Sequence, residues 1–358
     1  MVNIAELLRV TRRCGGSDLH ITMGAPPTVR VDGHLRALDG PVFDAEGTAA
    51  AVGQLLTPAQ RADFDARWEL DFAFALEGLG RFRGNVYRQQ GSVAATFRCI
   101  PETIPSLEAL ALPDAVSRLA DLPRGLVLVT GATGSGKSTT LAAVIDHINR
   151  HRPVHVLTIE DPLEFVHAHR VALINQREVH ADTRGFAPAL RAALREDPDV
   201  VLIGEMRDRE TMEAALTLAE TGHLTFATLH TSSAAQTVTR IIDAFPAHQQ
   251  AQVRSQLSLV LEGVLCQVLV PRADAPGRIA AVELLVATPA VRSLIRDDKV
   301  HQLASAMQAG QDRHGMRTMN QSLAQLVAAG RISRDSAMRA SSTPDDVRGL
   351  LERIGGLA

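Results

Sequence analysis

Apolar and polar residues alternate with two different periods along the first hundred positions. Apolar residues at a helical spacing predict helices at 5–14, 45–56 and 58–67. Strict alternation predicts strands at 18–22, 28–31, 70–76, 81–89 and 93–99. Asp32-Gly33 follows one of these runs and has the residues of a tight hairpin turn. The pattern therefore predicts a small α/β domain in which one sheet is flanked by helices.

The rest of the chain alternates short apolar runs with helical segments. The runs predict strands at 125–130, 154–160, 172–175, 200–204 and 224–228, and this alternation is typical of parallel strands with crossover helices. From position 246 the pattern is mostly helical, with an extended pair near 267–271 and 279–285. Pro101 and Pro105 lie in the segment before these runs and indicate a linker without regular structure. We therefore predict domains at 1–99 and 113–358, joined by a linker at 100–112.

Composition excludes several classes of protein. The net charge of −3 is spread over both signs, which argues against a nucleic-acid partner, because such domains are usually basic. The three cysteines, Cys14, Cys99 and Cys266, are far apart and odd in number, so we expect small core residues in a reducing compartment. No signal peptide is visible, and no apolar run approaches the roughly 20 residues that cross a bilayer. Any membrane association is therefore expected to go through a partner.

One glycine-rich run has the composition of a phosphate-binding loop. Residues 131–138 fit the pattern G-x-x-x-x-G-K-[ST] and stand between the predicted strand 125–130 and a predicted helix at 139–150. Glycines let successive N–H groups turn toward phosphates, and the helix adds the positive end of its dipole. Lys137 would reach the β- and γ-phosphates, and the Ser138 hydroxyl would bind Mg²⁺. The predicted nucleotide contacts are Gly131, Ala132, Thr133, Gly134, Ser135, Gly136, Lys137, Ser138 and Thr139.

Carboxylates end two of the predicted strands after this loop. Glu160, Asp161 and Glu164 accompany the strand 154–160, and Glu205 follows the strand 200–204. The carboxyl ends of parallel strands meet at the edge of the sheet where nucleotides bind. We predict Glu160 as the general base that activates water and Glu205 as the Mg²⁺ or water partner, although the two acids can exchange these roles. Asp161 and Glu164 either serve a metal-bound water or an arginine, or form a solvated acidic turn.

Four motifs stand in the order found in the secretion-ATPase superfamily of RecA-like hexameric motors. The phosphate loop and the segments 158–165, 200–208 and 221–231 resemble the Walker A, Asp box, Walker B and His box of that superfamily. Segments 17–33, 174–180, 194–199 and 204–208 further resemble its type IV pilus retraction ATPases, the PilT family. Ala132, where the family commonly has proline, and Gln90, where it often has arginine, are small departures.

The resemblance implies a fold, a site and a function. It implies an N-terminal PAS-like domain, a C-terminal RecA-like ATPase domain and a homohexamer that uses ATP and Mg²⁺. It implies that Arg81 and Arg83 reach the nucleotide when the domains close, and that His223 and His230 sense the nucleotide or couple subunits. A lone histidine beside a core is otherwise usually a hydrogen-bonded core group. The implied function is ATP hydrolysis that drives type IV pilus retraction and twitching motility, in the cytoplasm at the inner face of the membrane, through a platform protein.

A segment at 290–299 also resembles a helix of the retraction ATPases. Its periodicity predicts an amphipathic helix with Val291, Leu294 and Ile295 inward and Arg292 and Arg296 outward. No residue in it suits phosphoryl transfer, so we expect it to serve mechanical output.

Two other functions stay open. ATPases of type II secretion or DNA uptake share the superfamily motifs, but assembly and type II secretion ATPases carry longer N-terminal regions and usually a four-cysteine zinc module. A non-catalytic ring that binds ATP would regulate without cycling, against which the intact Lys137, Glu160 and Glu205 argue.

Overall fold

A computed structural model describes residues 2–31, 33–100 and 103–355. These residues form two compact units, Met1–Thr103 and Ile104–Ala358. The division falls within the predicted linker, of which positions 101 and 102 lie outside the described residues, as does Asp32 of the predicted hairpin turn. Each unit has its own sheet and its own hydrophobic core.

The first unit is an antiparallel sheet flanked by helices. Its helices are α1 (Ile4–Arg13), α2 (Ala45–Gly53) and α3 (Pro58–Arg67). Its strands are β1 (Asp18–Ile21), β2 (Thr28–Val31), β3 (His34–Ala37), β4 (Glu69–Leu76), β5 (Gly80–Gln89) and β6 (Ser92–Cys99), in the order β3-β2-β1-β6-β5-β4. Leu19, Phe82 and Phe97 of the sheet are fully buried and pack with Ile4 and Leu8 of α1. The predicted α/β class of this unit is confirmed.

Two elements of the first unit differ from the pattern. Helix α2 ends at Gly53, three residues before the predicted end at position 56. Strand β3 completes the predicted hairpin by pairing with β2, yet all four of its residues are exposed. A strand without a buried side has no apolar alternation, so the sequence indicates the turn but not the bounds of this strand.

The second unit is built on a seven-stranded sheet. Its strands are β7 (Gly125–Thr130), β8 (His155–Glu160), β9 (Leu173–Glu178), β10 (Val200–Ile203), β11 (Leu224–Leu229), β12 (Leu261–Pro271) and β13 (Arg278–Val286). The order is β13-β12-β7-β11-β10-β8-β9, and every neighbouring pair is parallel except the antiparallel pair β12–β13.

Helices cover both faces of this sheet. They are α4 (Asp114–Ala120), α5 (Lys137–His151), α6 (Phe186–Ala193), α7 (Arg209–Glu220), α8 (Ala234–Asp243), α9 (Ala247–Val260), α10 (Pro289–Arg296), α11 (Leu303–Ala309), α12 (Gln311–His314), α13 (Met319–Ala328), α14 (Arg334–Ala340) and α15 (Pro344–Gly355). Leu126 and Leu128 of β7 belong to one core cluster, and Val127 and Val129 belong to another. A parallel sheet buried on both faces is the predicted arrangement, and it is confirmed.

The extended pair after position 246 is a larger part of the sheet than the sequence indicates. Strand β12 begins at Leu261, six residues before the predicted start, and pairs with β7 on one side and β13 on the other. Most of its residues are buried, so its sequence is a nearly continuous apolar run. Such a run has no period that separates a strand from a buried helix, which is why the predicted strand was too short.

Helix α10 corresponds to the segment that resembles the retraction ATPases. Val291 and Ile295 are fully buried, as predicted, and Arg296 is half-exposed. The prediction that Arg292 points outward is wrong. Its guanidinium donates to the backbone oxygens of Ser258 and Leu259 at 3.0 and 2.7 Å and pairs with Glu262 at 2.8 Å. Arg292 therefore fastens α10 to the junction of α9 and β12.

Glu283 of β13 binds the first turns of two helices. Its carboxylate accepts the backbone N–H of Ala234 in α8 at 2.7 Å and that of Met319 in α13 at 3.4 Å. It is 7% exposed, and this burial raises its pKa although the two N–H groups oppose that effect. One buried carboxylate thus caps two helices that start 85 residues apart in the sequence.

The cysteines are all free and differ in burial. Cys266 is a buried core residue, as expected, whereas Cys14 is exposed at the end of α1, so the expectation of a core position is wrong for Cys14. Cys99 is half-buried. Among the described residues, no helix combines the length and the apolar character that a bilayer span requires.

Candidate active site

The glycine-rich loop joins β7 to α5 and is held in a conformation that needs its glycines. Gly131, Gly134 and Gly136 have φ angles of 140°, 78° and 90°, in the region that side-chain-bearing residues rarely adopt. A Cβ on Gly131 would lie 2.4 Å from the backbone oxygen of Gln267 and 2.5 Å from Oγ of Ser135. No other residue fits there, so the loop backbone keeps its tight curve.

Lys137 is the first residue of α5 and lies inside the curve of the loop. Its side chain is 9% exposed, and Nζ donates to the backbone oxygens of Gly131 and Ala132 at 2.8 and 3.1 Å. Burial lowers the pKa of Lys137, while the charges of Glu205 and Glu164 raise it. The lysine is therefore a buried cation that interacts electrostatically with the acids of the same sheet edge.

The start of α5 is suited to an anion. No side chain in the described part of the chain caps this helix, so its first N–H groups have no side-chain acceptor there. Oγ of Ser135 is buried and has no hydrogen-bond partner among the described residues. Ser138 and Thr139 are half-buried in the first helical turn. A helix N-terminus with a buried lysine and an unused hydroxyl has the donors that a nucleotide phosphate takes. These residues fit a nucleotide.

Glu160 is the last residue of β8, at the carboxyl edge of the sheet. Its side chain accepts a hydrogen bond of 2.8 Å from the Thr158 hydroxyl. Burial raises the pKa of Glu160 to about 7; hydrogen bonds from Thr158 and Gln176 oppose the rise and the charge of Glu164 adds to it. Glu160 is thus an acid that is only partly ionised near neutral pH.

Glu205 lies two residues beyond β10 at the same edge. Its Oε1 accepts hydrogen bonds from Nε of Arg207 at 2.8 Å and Nε2 of His230 at 3.0 Å. Burial works against ionisation, but the hydrogen bonds and charges of Arg207 and His230 outweigh it, so the pKa of Glu205 is lowered. The charge of Asp161 contributes to a raised pKa of Arg207, after the larger effect of Glu205. The two acids therefore differ in their protonation state, although they end neighbouring strands.

Ser138 and Glu205 supply the hydroxyl and carboxylate oxygens that hard cations such as Mg²⁺ prefer. Glu205 is ionised, and its charge acts on Lys137, the residue that precedes Ser138. The donor set at this edge fits a magnesium ion.

One predicted site residue of the second unit, His223, is not brought to this edge. His223 precedes β11, and its backbone oxygen bonds the N–H of Gly125 at the opposite end of β7 from the loop. Since β11 has six residues, His223 and His230 are separated by about 20 Å of strand. Arg81 and Arg83 belong to the first unit and alternate on β5 with the buried Phe82. Their roles stay predictions.

Four residues without a motif of their own also contact the site. Thr158 and Gln176 bond Glu160, Arg207 binds Glu205, and Gln267 contacts the loop. Thr158 stands two residues before Glu160 on the same strand, so it points to the same side, and this spacing was a usable signal. Gln267 had no local signal, because its place depends on β12 pairing with β7.

Comparisons with known proteins agree with this geometry. The family model of type II/IV secretion system proteins matches residues 106–339. The chain is 49% identical over 345 residues to the type IV pilus retraction ATPase PilT of Pseudomonas aeruginosa, with 96% of this chain and 100% of that protein covered. It is 50% identical over 321 residues to a twitching motility protein of Neisseria gonorrhoeae, with 90% of this chain and 86% of that protein covered.

A solved structure is similar over the whole length. The crystal structure of the pilus retraction motor PilT with bound ADP superposes with a TM-score of 0.90 at 47% identity, and covers 98% of this chain and 100% of that one. Its bound ADP agrees with a nucleotide site in this fold. The chain therefore belongs to the family of type II/IV secretion system ATPases, as a nucleotide-binding member with a RecA-like second domain.

Proposed function

We propose that this protein is an ATP-hydrolysing motor that retracts type IV pili. The observation that carries the proposal is the single sheet edge where the loop around Lys137 meets two acids of different protonation, Glu160 and Glu205. The relatives named for pilus retraction and twitching motility support the same function. A motor needs both a nucleotide cradle and a group that controls when water attacks.

Glu160 is the proposed general base. An efficient base has a pKa near the working pH, and burial brings the pKa of Glu160 to about 7. Its carboxylate takes a proton from water as the water oxygen bonds to the γ-phosphorus. The bond from that phosphorus to the bridging oxygen then breaks, which leaves ADP and inorganic phosphate. Glu205, which is ionised and held by Arg207 and His230, suits the metal side of the reaction.

Lys137 and the first turn of α5 are proposed to hold the phosphates. Ser138 and Glu205 are proposed to bind Mg²⁺, which neutralises charge on the β- and γ-phosphates when it is bound. Lys137 must exchange its bonds to the loop carbonyls for phosphate oxygens, which a flexible four-carbon stem allows.

The same proposal includes the assembly. Six copies form a ring in which the first domain of each subunit packs on the ATPase domain of its neighbour. Arg81 and Arg83 reach the nucleotide as the domains close, so the site is completed across subunits. The position of His223, at the sheet edge away from the loop, supports contact with a neighbouring subunit rather than with nucleotide of its own chain. The ring acts on a platform protein at the cytoplasmic face of the inner membrane.

A paired experiment tests the function. Phosphate release by the purified protein and twitching by a complemented retraction-deficient strain should both be lost in Glu160→Gln, while light scattering should give a ring of six for parent and variant. If the unaltered protein restores twitching while its phosphate release stays at background, the non-catalytic ring is supported instead. If the unaltered protein releases phosphate but does not restore twitching, a secretion or DNA-uptake motor is favoured.

A further inference from the structure

Gln267 of β12 spans the base of the phosphate loop. Cys266 pairs with Thr130, the last residue of β7, so Gln267 stands beside the first residue of the loop. Its backbone oxygen is the atom that a Cβ on Gly131 would strike. Its Nε2 donates to the backbone oxygen of Ser135 at 2.7 Å and would lie 3.0 Å from a Cβ on Gly136. One residue thus contacts both ends of the loop.

The bond to Ser135 fixes the direction of a particular peptide group. In a trans peptide the C=O and the N–H of the next residue lie in one plane and point in opposite directions. The carbonyl of Ser135 is held toward Gln267. The N–H of Gly136 must therefore point away from Gln267, to the other side of the loop. Without that bond the peptide can turn, which would present a carbonyl where a phosphate needs a donor.

The side chain of Gln267 is placed where a polar group is costly. Gln267 is 3% exposed, and its Oε1 is buried without a hydrogen-bond partner among the described residues. An unsatisfied buried polar atom lowers the stability of the fold, because it loses its hydrogen bonds to water. An apolar residue of the same length would avoid that cost, so stability alone does not account for an amide here. The donor half of the amide, which holds Ser135, does account for it.

We infer that Gln267 is a positioning residue for nucleotide binding, which acts by orienting the Ser135–Gly136 peptide toward the phosphates. It touches the loop and not the reacting atoms. The inference rests on the proposed function, because it assumes that nucleotide phosphates bind at this loop.

The test is Gln267→Met, which keeps the length of the side chain and removes the donor. The affinity for a fluorescent ADP analogue should fall roughly tenfold, since about 1.4 kcal/mol of hydrogen bonding corresponds to that factor. KM for ATP should rise by a similar factor with kcat within about twofold, because a phosphate contact present throughout the reaction affects binding uniformly. A merely structural role would instead lower the unfolding temperature and leave KM unchanged.

Gln250→Met is the matched control. Gln250 donates through Nε2 to the backbone oxygen of Phe245 at 3.1 Å, far along the chain from the loop. The same chemical change there should leave ADP affinity as in the parent. If Gln267→Met does not fold, Gln267→Asn takes its place, because its amide is one methylene too short to keep the bond. Parent-level ADP affinity in a folded Gln267 variant overturns the inference.

Lys137→Ala separates this inference from the proposed function. If Lys137→Ala keeps parent affinity and turnover, the nucleotide does not bind at this loop and the proposed function fails. If Lys137→Ala is inactive while Gln267→Met behaves as the parent, only the role of Gln267 is wrong.

Discussion

Glu160→Gln should make the protein more stable as it removes its activity. Burial raises the pKa of the parent carboxyl from 4.5 to about 7, so the folded state resists its ionisation. Glutamine has the same shape and cannot ionise. We expect the variant to hydrolyse ATP at background level, because water loses its base, and to unfold at a higher temperature than the parent at neutral pH.

The size of the gain follows from the pKa. Below pH 4.5 the carboxyl is protonated in both folded and unfolded chains, and no cost arises. Between 4.5 and about 7 the unfolded chain releases the proton while the folded chain keeps it, so parent stability falls as pH rises. At 1.36 kcal/mol per pKa unit, the full cost above pH 7 is about 3 kcal/mol at most. That corresponds to a rise in Tm of roughly 5–10 °C for the ATPase domain.

Calorimetric unfolding at pH 4.5, 6 and 8 measures this difference. The gap between Glu160→Gln and the parent should be near zero at pH 4.5 and largest at pH 8. Glu213→Gln, which makes the same change at an exposed position of α7, should give no such pH-dependent gap. A gap of equal size at all three pH values, or none at pH 8, would refute the view that burial controls the protonation of Glu160.

Three further predictions concern other parts of the ATPase domain. Lys137→Ala should bring phosphate release to background with Tm near that of the parent, because the buried cation is lost and the loop backbone remains; release at the parent rate would refute its role. Parent kcat should rise through about pH 7 as Glu160 loses its proton, and Glu205→Gln should lower the rate yet keep that midpoint; a midpoint that disappears in Glu205→Gln would exchange the two roles. Arg292→Ala should destabilise by about 1–3 kcal/mol through its lost charged hydrogen bonds, and Arg296→Ala by less than about 0.5 kcal/mol, as denaturant unfolding will measure. Both arginine variants should retain phosphate release, so any loss of twitching reports mechanical output.

Features set by local sequence were predictable. The phosphate loop, the strand before it and the helix after it each depend on residues within about ten positions, and the strand and the helix form as expected. His230 follows the carboxyl end of β11, so the direction of that parallel strand alone places it at the edge of the sheet where the phosphate loop lies. The same rule puts His223 at the other edge, although the family motif groups it with His230.

Features set by pairing or burial were not predictable. The length of β12 and the contact of Gln267 with the loop arise because β12 lies beside β7, and their sequences are more than a hundred residues apart. The high pKa of Glu160 depends on how much water its surroundings exclude. Arg292 is at a position that periodicity assigns to solvent, but its long side chain reaches the backbone of α9 and β12.

The carboxylate of Glu283 accepts hydrogen bonds from the first residues of both α8 and α13, which are distant in the sequence. Any motion that separated α8 from α13 would leave a buried carboxylate short of a donor, at a cost of roughly 1–3 kcal/mol or more. Helix α8 begins four residues after His230, which binds Glu205. The segment that follows β11 is therefore tied to the C-terminal helices. A displacement of α8 during turnover that kept both hydrogen bonds would have to move Glu283 and the start of α13 with it.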